Sequence, residues 1–594
     1  MSSAFDVIVV GAGHAGIEAA AAAARIGCRA ALVTGNLDTI ALMSCNPAMG
    51  GLAKGQLVRE IDALGGLMAR ATDVCGIHFR ILGRSKGPAM WSPRAQCDKR
   101  AYTAWVKGAI EACDGVFPLQ GEVVDLMDDQ GRITGVVLAD GRRLAARAVV
   151  LTTGTFLNGL IHQGQVQMPG GRLGDHAATR LSAALQRLGL PLRRMKTGTP
   201  PRIHAASIDY ACCEEQPGDD DPRPFSFATG QQVANRISCW TCHSEPAAHA
   251  IIRANRDRAP LFNGQIASIG PRYCPSIEDK VMRFADRERH QLHLEPEGLQ
   301  TREVYVNGLS TSLPIDVQDQ VLAAIPALRR AHVLRYGYAI EYDMVPSSAI
   351  DHRLAVIAVP GLYLAGQING TSGYEEAAFQ GLVAGANAAL ALAGREPLLI
   401  GRDQAYGGVM IDDLVHRVPD EPYRMFTSRA EYRLLLRSDN ADRRLVPLAH
   451  RCGLVDDDRA AAVAAKQAAI SVLVQAVPPR LRDRIAGEGL DLAATTALVP
   501  ALAGSDPAIA EGAWIELRYA AYVARQCAQV ARLERQRALP LAPDLDYATV
   551  PGLSTEARQA LVRHRPPTLA AAGALPGLRP ADIEQLWAWL QRRG

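Results

Sequence analysis

The chain opens on a short apolar run, Phe5 to Val10, that Gly11-Ala12-Gly13-His14-Ala15-Gly16 turns into an alanine-rich stretch reaching about Ile26. An apolar run of strand length followed by glycines predicts a buried parallel strand and then a helix. Arg29 to Thr34 predicts a second strand, and Ile133–Leu138, Ala148–Leu151 and Gly361–Ala365 predict further ones. Gly/Pro-rich stretches at 45–55, 168–175 and 197–203 read as loops, so the first 400 residues are expected to be α/β. The acidic, proline-rich run Glu214 to Pro222 is poor core material and reads as an exposed loop of an inserted subdomain. From about 401 onward strand signals fade and helical Ala/Leu/Arg patterns take over, as in Asp458–Val477 and Glu511–Arg537. Pro540, Pro543 and Pro551 then mark a linker to a last small unit.

A length of 594 residues predicts several domains rather than one core. With 48% hydrophobic and 21% charged residues the chain reads as an ordinary globular protein. A net charge of only +3 means that a polyanion site would have to be a local patch. The N-terminus shows no signal-peptide pattern, and the apolar stretches fall short of the ~20 residues of a membrane span, so a cytoplasmic protein is expected. The 12 cysteines are scattered through the chain and are expected to be reduced thiols.

The G-x-G-x-x-G at Gly11–Gly16 follows a strand and opens a helix, the setting its chemistry requires. Gly11 permits the tight turn, Gly13 the approach of a pyrophosphate and Gly16 close helix–strand packing, with phosphate charge resting on the helix N-terminus. The acid expected at the end of the second strand is replaced by Thr34-Gly35-Asn36, where Asn36 is either a ribose partner or a turn residue. Val149-Val150-Leu151-Thr152-Thr153-Gly154-Thr155 and Gly361-Leu362-Tyr363-Leu364-Ala365-Gly366-Gln367 resemble the later motifs of two-dinucleotide-domain flavoproteins, which favours FAD over NAD at this site. The Thr371-Ser372 pair is placed to cap a following helix from Tyr374 to about Leu392.

Two cysteines stand in loops suited to chemistry. Cys45 lies in Met43-Ser44-Cys45-Asn46-Pro47-Ala48-Met49-Gly50-Gly51, where a helix N-terminus would favour the thiolate. Cys274 lies between Arg272 and Lys280, which favour it likewise. A thiolate is the group to add to C6 of a uracil ring and activate C5 for carbon transfer. Cys28, Cys75, Cys97, Cys113, Cys452 and Cys527 read as packing residues. Cys239-Trp240-Thr241-Cys242-His243, with Cys212-Cys213 upstream, lacks the regular spacing of a zinc site, so no metal ligand is assigned; a redox dithiol there would have to lie against the flavin.

Taken together, Gly11–Gly16, Ser44-Cys45-Asn46-Pro47, Ser85-Lys86-Gly87-Pro88, Lys196-Thr197-Gly198-Thr199-Pro200-Pro201-Arg202, Gly337-Tyr338-Ala339-Ile340-Glu341-Tyr342-Asp343, Ala365-Gly366-Gln367-Ile368-Asn369-Gly370 and Glu421 to Arg433 resemble the MnmG (GidA) family over essentially the whole chain. The resemblance implies a homodimeric, FAD- and NADH-dependent enzyme that works with the GTPase MnmE, two subunits of each. Its reaction adds a (carboxymethyl)aminomethyl group to C5 of the wobble uridine of certain tRNAs. Methylenetetrahydrofolate supplies the carbon, and glycine or ammonium the nitrogen.

By the same resemblance, Cys45 and Cys274 match the essential cysteines. FAD is implied at Gly11, Ala12, Gly13, His14, Ala15, Gly16, Val123, Gly366 and Gln367. NADH is implied at Gly270-Pro271-Arg272-Tyr273-Cys274-Pro275-Ser276-Ile277-Glu278-Asp279-Lys280-Val281-Met282-Arg283-Phe284, a segment with no second G-x-G-x-x-G. Cys242, Ser244 and Glu245 depart from the family pattern and leave that loop's role open. Arg194, Lys196, Arg424, Arg429 and Arg433 are candidate RNA contacts, set against a solvated helix face bearing local salt bridges.

The expected organisation is a Rossmann-like FAD-binding domain over 1–203 and 335–400, interrupted by an NADH/substrate subdomain over 204–334. An all-α region follows over 401–544, and a helical partner-docking domain over 545–594. The rival readings are a folate-dependent uridine methyltransferase, against which the helical half argues, a flavin thiol–disulfide reductase, and a non-catalytic RNA-binding flavoprotein.

Overall fold

A computed structural model describes residues 4–592 except 229, 231, 271–274, 418, 538, 574, 576, 577 and 579. It divides into two compact units, 1–469 and 470–594. The fold class is the expected one, α/β followed by an all-α region.

In the first unit, Phe5–Val10 is the centre of the main sheet. It pairs in parallel with Ala30–Thr34 on one side and Arg143–Leu151 on the other. Val116–Gln120 extends the sheet beyond Ala30–Thr34, and Leu362–Leu364 pairs in parallel with the end of Arg143–Leu151. Arg132–Leu138 and Val123–Asp129 add an antiparallel flank. Val7, Ile8, Val9, Ala31 and Leu32 are fully buried, as expected of strands covered on both faces.

Helix His14–Arg25 packs lengthwise on helix Tyr374–Leu392. Small residues allow this approach, because a Cβ on Gly381 or Gly385 would collide with the carbonyls of Ala15 and Ala19. The cap of the second helix differs from expectation. Gly373 stands at the N-cap with φ 139° and no side-chain cap, while Thr371 Oγ1 instead accepts from Gln380 Nε2 at 3.0 Å.

The expected loops hold strands whose pairing comes from distant segments rather than local propensity. Ala48–Gly50 pairs with Ser92–Cys97, and Arg193–Thr199 with Tyr338–Met344. Within the acidic run, Glu214–Gln216 is an edge strand, and the Asp219 carboxylate accepts Ile81 N–H at 2.7 Å, so that run is anchored rather than free.

A six-stranded antiparallel sheet, in the order Glu214–Gln216, Cys239–His243, Gln291–Pro296, Glu303–Asn307, Arg202–His204, Val333–Arg335, has its own apolar core. Leu292, Leu294, Val304, Val306 and Cys242 point into that core together with Ile277 and Val281. The alternate residues of those strands therefore form the opposite face.

Charged groups tie further helices to this unit. Glu60, fully buried, accepts Tyr406 and Gly407 N–H at 2.9 and 3.0 Å and Arg444 Nη2 at 3.2 Å. Arg444→Ala leaves that carboxylate without its cation, and we predict a loss of about 3–5 kcal/mol in urea unfolding, with Arg444→Lys recovering part of it.

The second unit is helical. Ile470, Val477, Ile485, Leu502, Ala513 and Leu517 form one cluster, while Leu541, Tyr547, Val550, Leu561, Leu569 and Leu586 form another. Among the described residues no single helix is long and apolar enough to cross a membrane.

Candidate dinucleotide and thiol site

The end of Phe5–Val10 and the start of His14–Arg25 open onto a cavity of about 1340 Å³. This exceeds the ~300–1,000 Å³ of ordinary small-molecule sites, which leaves room for more than one ligand. Gly11, Ala12, Gly13, His14, Ala15, Val123, Gly366 and Gln367 all line it. Gly16 does not, because its Cα faces the Gly11 carbonyl, where a Cβ would collide, and the Thr152 hydroxyl. Gly11 has φ +100° and Gly366 φ +87°, conformations that glycine adopts without strain. Gly13 has open space where a Cβ would be.

Among the described residues, His14 Nε2, Asn46 Oδ1 and Thr153 Oγ1, buried polar atoms of lining residues, have no partner. Buried polar atoms in a polar cleft are satisfied by a ligand or by water. With the glycine turn and the helix N-terminus, they fit a dinucleotide. Asn36 is confirmed as a turn residue, its Oδ1 accepting Asp38 N–H at 2.9 Å, and it also lines the cavity.

The His14 ring lies 4.5 Å from that of Tyr374. Burial lowers its pKa to about 4, with Glu375 opposing the shift. A histidine depressed from 6.5 leaves the unfolded chain binding more protons between those values, so its cost to stability is absent above pH 6.5 and grows as pH falls toward 4. We predict that His14→Gln removes about 3 kcal/mol of the acid destabilisation over that window, read as the difference between the pH dependences of unfolding of the two proteins.

Cys45 is half-buried and lines the same cavity. Its backbone N–H donates to Tyr374 Oη at 2.7 Å, which ties the thiol loop to the first residue of helix Tyr374–Leu392. Its Sγ lies 4.0 Å from the Gly198 carbonyl. The Arg202 guanidinium donates to the Ser44 carbonyl at 2.7 Å and pairs with Glu297 at 3.1 Å, stacking 4.8 Å from the Tyr305 ring. Lys54 pairs with Glu375 and Glu376 at 2.9 and 3.0 Å, and Glu375 also accepts Gly50 N–H. Tyr374, Arg202 and Glu375 were not singled out by sequence reasoning, although Arg202 ends one of the quoted motifs.

Cys274, together with Pro271, Arg272 and Tyr273, lies outside the described residues. Of the rest of 270–284, helix Ile277–Arg283 buries Ile277 and Val281 in the sheet core, and Lys280 Nζ donates to the Gly308 carbonyl at 2.9 Å. None of the described residues there lines the cavity.

Cys239 and Cys242 sit three apart on one strand and so face opposite ways. Cys239 lines the cavity and Cys242 lies in the sheet core. Burial pushes both thiols up to about 12, so they do not form a reactive dithiol. Of the cysteines read as packing residues, Cys75, Cys97 and Cys452 are buried, Cys28 and Cys113 are intermediate, and Cys527 is exposed, contrary to expectation.

The candidate RNA residues are dispersed. Arg194 is paired with Asp343 at 2.9 Å, and Lys196 is buried on the same strand. Arg424 lines the cavity beside Met425 and Phe426. Arg429 stacks 4.3 Å from the Tyr423 ring and lies 3.7 Å from Asp413, and Arg433 is exposed. The alternative of a solvated helix face does not hold for residues 421–433, where only Thr427–Arg429 forms a short 3-10 turn, although local salt bridges are present.

His352, Asp412 and His416, which sequence reading did not single out, bring donor atoms within 4.8 Å of one another. Arg402 already takes the second oxygen of Asp412 at 2.9 Å.

The profile of glucose inhibited division protein A, GidA, matches residues 6–396. The chain belongs to the GidA family. The GidA match continues at the C-terminus, where the profile described as the tRNA modifying enzyme MnmG/GidA C-terminal helical bundle covers residues 529–594. Among GidA relatives, the tRNA uridine 5-carboxymethylaminomethyl modification enzyme MnmG of Rhodopirellula baltica is 50% identical, over 99% of this chain and 93% of its own. The enzyme of the same name from Protochlamydia amoebophila is 48% identical over 99% and 96%. The solved GidA of Aquifex aeolicus superposes with a TM-score of 0.91 at 44% identity, covering 99% of this chain and all of that one.

Proposed function

We propose that this chain is a FAD-dependent tRNA-modifying enzyme that helps to build the 5-carboxymethylaminomethyl group on the wobble uridine of certain tRNAs. The observation that carries this reading is one cavity lined by both a dinucleotide turn, Gly11–Ala15, and the half-buried Cys45. The names of relatives about 50% identical over nearly the full chain support the product. Bound FAD would supply redox chemistry, held by Gly11–Ala15, Val123, Gly366 and Gln367, with Gly16 packing the helix against the strand turn. NADH as reductant, methylenetetrahydrofolate as carbon donor, glycine or ammonium as amine, the GTPase MnmE as partner and a homodimer belong to the same proposal, as does a cytoplasmic location.

In this reading the Cys45 thiolate adds to C6 of the uracil. The C5–C6 π pair moves toward the C4 carbonyl, so that C5 becomes the nucleophile. After C5 has gained its carbon it loses its proton, and the returning electron pair expels the thiolate. Cys274 enters as the second cysteine, by family resemblance alone. Arg202 positions the Cys45 loop through the Ser44 carbonyl, and Tyr374 through the Cys45 N–H.

The thiol–disulfide reductase reading loses its dithiol, because Cys239 and Cys242 face opposite sides of a strand. The methyltransferase reading leaves the helical bundle unexplained.

Nucleoside mass spectrometry of tRNA from cells lacking this protein tests the proposal. The expected result is loss of the 5-carboxymethylaminomethyl nucleoside and its return when the wild-type chain is restored. Undiminished product in its absence would refute the assignment.

A further inference from the structure

One face of the six-stranded sheet lines the same cavity as the dinucleotide turn. Along Gln291–Pro296 and Glu303–Asn307, Leu292, Leu294, Val304 and Val306 point into the apolar core, whereas His293, Glu295, Tyr305 and Asn307 line the cavity. The alternation of strands thus sets a polar sheet face against the same space that the glycine turn borders.

Glu295 is the unusual member of that face. It is 4% exposed, and one carboxylate oxygen takes Arg94 Nη2 at 2.6 Å. The other oxygen, Oε2, is buried and has no hydrogen-bond partner among the described residues. Leaving a charged acceptor desolvated and unmatched is costly, and Glu295 is one of the residues that line the cavity. The unpartnered carboxylate oxygen can only accept, so this position suits an N–H donor. Asn307, which lines the cavity on the neighbouring strand and pairs across it with His293, offers both an amide donor and an amide acceptor for the rest of such a ligand's edge.

Resting on the proposed function, we propose that Glu295, with Asn307, forms a second-ligand subsite that binds a planar heterocycle by an amide-like edge, N–H beside C=O. The pterin ring of a reduced folate, the uracil ring and the carboxamide of a nicotinamide all present that edge, and the cavity volume accommodates one of them beside a dinucleotide. Glu295 accepts the N–H through Oε2 while Arg94 holds its other oxygen and fixes the carboxylate's orientation.

The test uses the full-length protein loaded with FAD, titrated separately with tetrahydrofolate, uridine monophosphate and NADH, each followed by the flavin spectrum and by calorimetry. Glu295→Gln keeps the shape and a contact for Arg94 but removes the charge. Glu295→Asp keeps the charge and withdraws it by one methylene. The expected result is wild-type FAD content in both variants and a loss of about tenfold or more in affinity for one probe, larger for Gln, which identifies the ligand. Unchanged affinity for all three probes in both variants, or no binding of any probe by the wild type, overturns the subsite. Either outcome with normal flavin content and normal tRNA product leaves the proposed function standing.

Discussion

Gly13→Ala is expected to weaken flavin uptake severely and leave the apoprotein at least as stable as the wild type, whereas Gly16→Ala is expected to lose both. The two glycines are three residues apart in one turn, but their surroundings differ. Gly13 has φ −74° and ψ −172°, which alanine adopts without strain, and a Cβ there meets nothing within 4 Å. Its methyl therefore costs the fold nothing, and restricting the unfolded chain contributes about 0.4–1 kcal/mol of stability. It does occupy the space that a pyrophosphate needs at the helix N-terminus, so affinity for the dinucleotide is expected to fall by on the order of 100-fold. At Gly16 the methyl would strike the Gly11 carbonyl and lie 2.9 Å from Thr152 Oγ1. The helix would have to withdraw from the strand, at about 1–3 kcal/mol or more. Visible flavin absorbance after reconstitution and urea unfolding of the flavin-free protein separate the two effects.

The second large effect concerns the thiol. Cys45→Ser is predicted to retain FAD and fold normally, while product formation falls below about 1% of wild type, because serine is a far weaker nucleophile at neutral pH. Its environment makes this a clean substitution. The loop is held by the Cys45 backbone N–H on Tyr374 and by Arg202 on the Ser44 carbonyl, neither of which the substitution touches, and the sulfur lies 4.0 Å from the Gly198 carbonyl. Tyr374→Phe should then weaken activity while leaving the nucleophile in place, since it removes only the acceptor that aligns the loop. Quantifying the modified nucleoside under single-turnover conditions checks both. Full activity of Cys45→Ser would remove this cysteine from the mechanism.

Local pattern was sufficient where chemistry is written into consecutive residues. The run from Phe5 to Gly16 specifies strand, turn and helix start by composition alone, and its segment Val10 to Ala15 lines the cavity. The Cys45 loop was legible from its consecutive residues for the same reason, and it lines that cavity. What sequence did not give was everything that depends on distant pairing. Ala48–Gly50 and Arg193–Thr199 are strands only because Ser92–Cys97 and Tyr338–Met344 come to lie beside them. Tyr374 and Arg202 reach the Cys45 loop across 329 and 158 residues, separations at which no spacing rule operates. The Cys239/Cys242 pair misleads in the opposite direction, because close spacing in sequence suggests a dithiol and strand geometry separates the two sulfurs. Glu295 was invisible for a related reason, since an acid in a strand looks like a surface residue until its neighbours bury it.

Whether one cavity holds a flavin next to Cys45 is tested most directly by a crystal structure of the FAD-loaded protein. The account predicts the pyrophosphate on the Gly11–Gly16 turn and the isoalloxazine ring between the Cys45 loop and Gly366–Gln367. A protein that takes up no FAD, or that binds it away from Cys45, would contradict it.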